Sequence, residues 1–168
     1  LAGVSIVGAT IYDAAALQPL YAERIGESVR VSDVVELARE VQSFYRREGY
    51  VLTRAAPAAI DLETGMATIR VVEARIESVA IAEPDGPVGP VAELLARLSE
   101  NLVGLENPTL ADLERALLLL NDVPGITRAT AVPRPGESGP GAVALDVNVS
   151  RDPLSGAFFA DTRQPPAF

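Results

Sequence analysis

The chain has 168 residues, enough for one domain of ordinary size or two small ones, and 48% of them are hydrophobic, which permits a buried core. Acidic residues outnumber basic ones by 23 to 14, and this net charge of −9 argues against nucleic acid as a partner. Cys, His, Trp and Lys are absent. Their absence removes thiolate and imidazole metal ligands, the Ser-His-Asp triad and the phosphate-loop lysine. We therefore expect no cofactor and no bound metal.

The first half of the chain predicts the order strand, helix, helix, strand, strand. These five elements lie at residues 1–10, 14–25, 32–48, 50–56 and 66–73. Pro19 interrupts the first helix, so we expect that helix to be short or kinked. Ser32 and Asp33 open the second helix, and Gly49 ends it. Pro57 ends the strand that follows, because proline lacks the N–H that a strand donates to its neighbour.

The second half predicts the same order again. Its elements lie at residues 75–82, 91–102, 110–123, 126–132 and 142–149, with loops rich in Gly and Pro at 84–90 and 133–141. Thr109 caps the second of these helices, Asp112 returns the hydrogen bond, and Pro124 and Gly125 end the helix. An apolar stripe marks its predicted core face. The stripe consists of Leu110, Leu113, Leu117 and Leu120, widened by Ala116, Leu118 and Leu119.

The two halves look like copies of one unit. Gly49 and Gly125 lie 76 residues apart, and the same offset carries Ile69 onto Leu145 inside a second alternating strand. Two helices over one face of a three-stranded sheet give a two-layer unit. The predicted fold class is therefore α+β, with two tandem β-α-α-β-β modules, each a three-stranded mixed sheet covered by two helices. We place the modules at residues 1–74 and 75–152, followed by an exit segment at 153–168, and expect close coupling because almost no linker separates them.

This order of elements resembles the POTRA domain, the polypeptide-transport-associated module found in front of outer-membrane β-barrels. VQSFYRREGYVLTRA followed by GMATIRVVEARIESVAI resembles the first POTRA domain of two-partner secretion transporters, the hemolysin-activator family. LERALLLLNDVPGI followed by AVALDVNVS resembles the second. In that family a strand with an Asp-Asn-Arg-Gly-like motif leads into the barrel. Here FFADTRQ takes that place, with Asp161 and Arg163 matching and Thr162 and Gln164 departing.

The resemblance implies a function in protein transport and no enzymatic activity. It implies periplasmic domains attached to the outer membrane, with two partners: an unfolded secreted polypeptide and the protein's own C-terminal barrel. The client would pair with the free edge of the second strand in each module, beside the groove with the first helix, by β-augmentation. The implied client-binding residues are Tyr50, Val51, Leu52, Thr53 and Arg54 in the first module, and Ile126, Thr127, Arg128, Ala129 and Thr130 in the second.

Other interpretations of the same sequence remain open. One is a scaffold for the insertion of outer-membrane β-barrels, which would use the same modules. Another is an enzyme built on carboxylates such as Glu36 and Glu114, although these lie on polar helix faces where charge pairs are ordinary. The Tyr45 and Asn121 side chains also fit a purely structural role in ending and packing helices. The acidic surface either keeps the domains soluble or steers a basic client.

Overall fold

The computed structural model describes residues 1–82 and 92–151, and within these residues two modules share one plan. The first module contains β1 (Gly3–Val7), α1 (Ala14–Leu17), two 3-10 turns (Gln18–Leu20 and Ala22–Arg24), α2 (Val31–Arg47), β2 (Arg54–Asp61) and β3 (Met66–Val72). The second contains β4 (Arg75–Ala82), α3 (Ala92–Glu100), α4 (Leu110–Asn121), β5 (Ile126–Pro135) and β6 (Ala142–Arg151). The predicted loop at 84–90 and the predicted exit segment at 153–168 lie outside the described residues.

Each module has one three-stranded mixed sheet, which confirms the predicted fold class. The strand orders are β1-β3-β2 and β4-β6-β5. In both sheets the last strand of the module lies in the centre, parallel to the first strand and antiparallel to the second. The second strand of each module, β2 or β5, is therefore an outer strand, and so is the first strand, β1 or β4.

Each sheet buries one face against its own helices. In the first module this core is a single cluster of buried side chains, formed by Leu17, Leu37, Ala38, Val41, Tyr45, Ile69 and Val71. The core of the second module consists of two clusters, one around Leu120 and Val147 and one around Ile76 and Leu145. The capping of α4 follows the prediction, because the Asp112 N–H donates to Thr109 Oγ1 and the Thr109 N–H donates back to Asp112 Oδ2 at 3.0 Å.

Three predicted details are wrong. The second strand of each module runs through a proline that was expected to lie beyond its end: β2 contains Pro57, and β5 contains Pro133. An outer strand tolerates proline where the missing N–H would point away from the sheet. The apolar stripe of α4 is also narrower than predicted, since Leu118 is 63% exposed and Leu110 and Leu119 are exposed too. A small sheet contacts only one side of the helix, so the widening leucines face away from it.

Backbone hydrogen bonds hold the two modules together at their junction. Glu73 and Ala74 alone separate β3 from β4. The Asn107 N–H, just before α4, donates to the Ala74 carbonyl at 2.8 Å, and the Leu110 N–H at the start of α4 donates to the Gly49 carbonyl of the first module at 2.8 Å. The carbonyl that follows α2 thus satisfies a free donor at the start of α4. This hydrogen bond joins the end of α2 to the start of α4 across the junction.

Candidate functional site

The residues predicted for client binding in the first module do not form an outer strand. Residues 50–53 form the turn that precedes β2, and only Arg54 belongs to the strand. Within the turn the Tyr50 N–H donates to the Tyr45 carbonyl at 2.9 Å, and the Thr53 N–H donates to the Tyr50 carbonyl at 3.3 Å. Thr53 is also only 3% exposed. The predicted strand 50–56 is therefore displaced, because β2 begins at Arg54 and continues to Asp61.

The outer edge of β2 presents few free backbone donors. The Ala55 N–H points away from β3, because it donates to Gln42 Oε1 on α2 at 3.2 Å. Hydrogen-bonding direction alternates along a strand, so Pro57 faces the same way and has no N–H to offer. A shift of register between Pro57 and Ala59 then turns the backbone of Ile60 outward. Ile60 is thus an outward residue that has an N–H and is not bonded to Gln42.

The residues predicted for the second module do lie on an outer strand. Ile126, Thr127, Arg128, Ala129 and Thr130 are the first five residues of β5. The Ala129 N–H points away from β6 and donates to Asn121 Oδ1 at 2.6 Å, and Asn121 Nδ2 in turn donates to the Leu117 carbonyl at 2.8 Å. By the same alternation Ala131, Pro133 and Pro135 face outward, and only Ala131 carries an N–H.

The second strands of the two modules, β2 and β5, are therefore guarded in the same way: a helix side chain and prolines leave few of their outward N–H groups free. An amide side chain from the second helix of each module, Gln42 or Asn121, occupies the first outward N–H of the strand. Prolines remove later donors. The helix beside this edge is α2 or α4, the second helix of its module, so the expectation of a groove with the first helix is wrong. Asn121 was predicted to have a structural role, whereas no role was predicted for Gln42. The spacing of Pro133 and Pro135 two residues apart was the available signal for a guarded edge in β5.

A cavity of about 520 Å³ with a mixed polar and apolar lining lies where β2 ends and α2 begins. Val31, Val34, Ile60 and Leu62 contribute apolar side chains to it, and Arg30 contributes a cationic one. Leu62 is 84% exposed. The cavity is adjacent to the outward backbone of Ile60, so a chain paired with this part of β2 would have room for an apolar side chain.

Two carboxylates fasten loops on either side of the module junction. Burial favours a higher pKa for Glu73, but hydrogen bonds from the Ile11 and Thr10 N–H groups and from the Thr10 and Tyr45 hydroxyls outweigh it, and its pKa is lowered. Glu77 accepts the Ser138 side chain and the N–H groups of Ser138 and Glu137, which lower its pKa as well. Both side chains stay ionised at neutral pH and hold their loops.

The outer face of the second sheet is polar. Arg134 on β5 forms an ion pair with Asp146 on β6, which raises the pKa of the arginine. Asp146 lies on the face of β6 opposite the buried Leu145, Val147 and Val149. Among residues 1–82 and 92–151, no helix combines the length and the apolar character needed to cross a bilayer. The same residues contain no cluster of three acidic, Cys or His side chains placed to hold a metal ion.

Comparison with known proteins agrees with this fold. Residues 1–74 match the family model described as "POTRA domain, ShlB-type". The chain is 25% identical over 125 residues to the heme/hemopexin transporter protein HuxB of Haemophilus influenzae, an alignment that covers 74% of this chain and 22% of the relative. The chain thus spans about a fifth of the length of that curated relative.

Solved structures show the same architecture over nearly the whole chain. CdiB from Escherichia coli matches with a TM-score of 0.72 at 20% identity, covering 90% of this chain and 27% of CdiB. The structure of POTRA1-3 of the periplasmic domain of Omp85 from Anabaena matches with a TM-score of 0.65 at 22% identity, covering 92% of this chain and 66% of that one. The chain therefore has the fold of tandem POTRA domains, and its resemblance to those of two-partner secretion transporters is confirmed.

Proposed function

We propose that this chain is the periplasmic, polypeptide-binding part of an outer-membrane protein translocator. It captures an unfolded secreted client by β-augmentation and passes it to a barrel in the full-length protein. Within this proposal residues 1–74 and 75–152 act as the two binding modules, residues 153–168 lead toward the barrel, and no chemical step is catalysed. The observation that carries the proposal is the placement of β2 and β5 as outer strands, each beside a helix, in a fold similar to transporter POTRA domains.

The small number of free N–H groups on the outer edges of β2 and β5 supports weak and reversible binding of a client. Ile60 in β2 and Ala131 in β5 are the outward residues that keep an unoccupied N–H among those discussed above. A net backbone hydrogen bond contributes about 0.5–1.5 kcal/mol. A client that gains one or two such bonds, and displaces the Gln42 or Asn121 amide for another, is held loosely. Loose binding suits a module that has to release its client to the next site.

The site in this proposal differs from the residues first predicted. In the first module it moves from residues 50–53 to the outward backbone of β2 and the cavity beside Ile60. In the second module it stays on β5 and centres on Ala131. Apolar side chains at alternate positions of the client fit the cavity of the first module. The chain's net charge of −9 favours a client with basic residues, mainly by raising the association rate.

Backbone amide NMR with a synthetic probe tests this proposal on β5. The probe is the capped peptide acetyl-Arg-Val-Thr-Val-Thr-Val-Arg-amide, which is extended, basic and free of proline. We expect it to shift the amide signals of Ala129 and Ala131. Ala131→Pro removes the outward N–H at a position whose neighbour two residues on is already proline, so it should abolish these shifts. Ala131→Ser keeps the N–H and is the matched control.

Asn121→Ala provides a second arm. It frees the Ala129 N–H from its guard, so the peptide should bind several-fold more tightly to β5. Circular dichroism establishes that each variant is folded. An unchanged peptide-induced shift at Ala129 in a folded A131P protein would remove β5 from the proposal, and the corresponding Ile60→Pro variant applies the same criterion to β2.

A scaffold for outer-membrane barrel insertion is the second candidate function. The similarity to the periplasmic domain of Omp85 from Anabaena favours it. Crosslinking from position 131 in cells that express the full-length protein separates the two candidates. Capture of a secreted protein supports the translocator, whereas capture of unassembled barrel proteins supports the scaffold.

A further inference from the structure

The first strand of the second module, β4, has an edge that the chain itself partly pairs. The Ile76 N–H donates to the Leu105 carbonyl at 3.0 Å, and the Gly104 N–H donates to the Ile76 carbonyl at 2.8 Å. Arg75 and Glu106 form an isolated antiparallel bridge. Residues 104–106 therefore lie along the start of β4 as a short extra strand. This edge is built to accept an extended segment.

The edge continues beyond the segment that covers it. Val79 and Ile81 pair in parallel register with Leu145 and Val147 on β6. Like those of Ile76, the N–H and C=O groups of Val79 and Ile81 point away from β6. The direction of the backbone hydrogen-bonding groups alternates along the strand, and the register shift after Ile76 places Val79 and Ile81 at outward positions. Within residues 1–82 and 92–151, no further backbone segment pairs with these outward groups. β4 also contains no proline, so its donors are intact, unlike those of β2 and β5.

A cavity of about 280 Å³ lies directly beside this edge, between β4 and α3. Its lining combines apolar side chains with one hydroxyl and one carboxylate. The residues are Val79, Ile81, Ala96, Val103, Ser99 and Glu100. The Ser99 side chain is only 4% exposed, and its hydroxyl has no hydrogen-bond partner among the described residues. A buried hydroxyl normally has a partner, because leaving it unpaired costs free energy. Ser99 therefore marks a place where an occupant would supply a polar atom.

In the first module, side chains pack together in the corresponding space between the first strand and the first helix. Leu17, Leu20 and Tyr21 pack there in one core with Val4 and Ile6 of β1. The two modules have the same fold, but their first helices fill the space beside the first strand differently. The cavity beside β4 therefore results from the side chains of the second module.

We propose that β4 and α3 form a docking site for an extended, basic polypeptide segment. The segment pairs antiparallel with β4 at Val79 and Ile81, in line with residues 104–106. It places a small hydroxyl side chain, Thr or Ser, against the Ser99 hydroxyl, with apolar neighbours on Val79 and Val103. Glu100 at the rim favours a basic flank. This site is independent of the proposed use of β2 and β5, because it lies on the opposite edge of the second sheet.

The same capped peptide used for β5 tests this site on the whole chain by amide NMR. We expect shifts at Val79, Ile81 and Ser99 that persist in the A131P variant, which separates this site from β5. Ser99→Ala should weaken binding at β4 several-fold without loss of folding, since it deletes an unpaired hydroxyl. Ser78→Ala is the matched control, because Ser78 is an exposed serine on the other face of the same strand and should leave the affinity unchanged.

The outcomes are decisive in both directions. A peptide in which valine replaces both threonines should bind the wild type more weakly than the threonine peptide does. The two peptides should bind S99A with equal affinity. Shifts confined to β2 or β5, or equal affinities of wild type and S99A, overturn the proposal. Shifts at Val79 that appear without peptide and grow with protein concentration would assign the edge to a second copy of the chain and also overturn it.

Discussion

The two modules have the same strand order but differ in how side chains fill the space beside their first strand. In both, the second strand is guarded by an amide from the neighbouring helix, Gln42 or Asn121, and by proline. On the other side, the first module fills the space beside β1 with Leu17 and its neighbours, whereas the second leaves a cavity that contains Ser99. The topology creates the same outer strands in both modules. The side chains of the helices determine how much space remains beside each strand.

The largest expected effects come from matched core substitutions, Leu37→Ala in the first module and Leu120→Ala in the second. Each leucine is 1% exposed, and deletion of such a side chain lowers the free energy of unfolding by about 2–5 kcal/mol. Urea unfolding measures the loss. Because the junction hydrogen bonds couple the modules, we expect each substitution to lower the stability of both modules together. Two separate transitions would show that the modules fold independently.

Leu118→Ala is the control for these substitutions. Leu118 lies two positions from Leu120 on α4 but is 63% exposed, so its truncation should change the free energy of unfolding by about 0.5 kcal/mol or less. A loss as large as that of L120A would contradict the narrow packed face of α4.

A smaller effect is expected from Gly141→Ala at the junction. Gly141 has a φ of 84°, and an added Cβ would lie well inside contact distance of the Glu73 carbonyl oxygen. Gly125 has a φ of 88° but nothing within 4 Å of its Cβ position. Gly125→Ala should therefore cost only the left-handed backbone penalty of about 1–2 kcal/mol, and Gly141→Ala should cost clearly more. Equal losses in urea unfolding would mean that the close approach between the modules relaxes freely.

The smallest expected effects concern pH and the two loop-fastening carboxylates. The folded-state pKa of Glu73 is lowered, so its contribution to stability is present above the unfolded pKa of about 4.3 and is lost as the pH falls through the folded pKa. Glu73→Gln should therefore flatten the fall of stability below about pH 4.3. Glu77→Gln should do the same to a lesser degree, because Glu77 is the more exposed of the two and solvent screens its interactions. Urea unfolding at a series of pH values measures both, and identical slopes for wild type and E73Q would contradict the role of Glu73.

Local signals predicted the helix α4 and the strand β4 better than the strands β2 and β5. Thr109 and Asp112 lie three residues apart and cap α4 by contacts within one turn, so the sequence alone located the start of that helix. The strand β4 begins and ends at the predicted residues, although a register shift between Ile76 and Ser78 interrupts its alternation. The prediction failed at Pro57, since a proline ends a central strand and is tolerated in an outer one. Which of these applies depends on the neighbours of the strand, and its sequence does not contain them.

The sequence by itself determined the duplicated α+β plan, the capped helix α4 and the resemblance to POTRA domains, because these depend on residue spacing along the chain. Tertiary structure alone decided which backbone groups remain available. The amides of Gln42 and Asn121 reach strands 13 and 8 residues away, and Ser99 of α3 lines a cavity that exists only where α3 packs beside β4. A hydrogen bond or a cavity of this kind exists only after distant segments have met, and so no pattern within either segment encodes it.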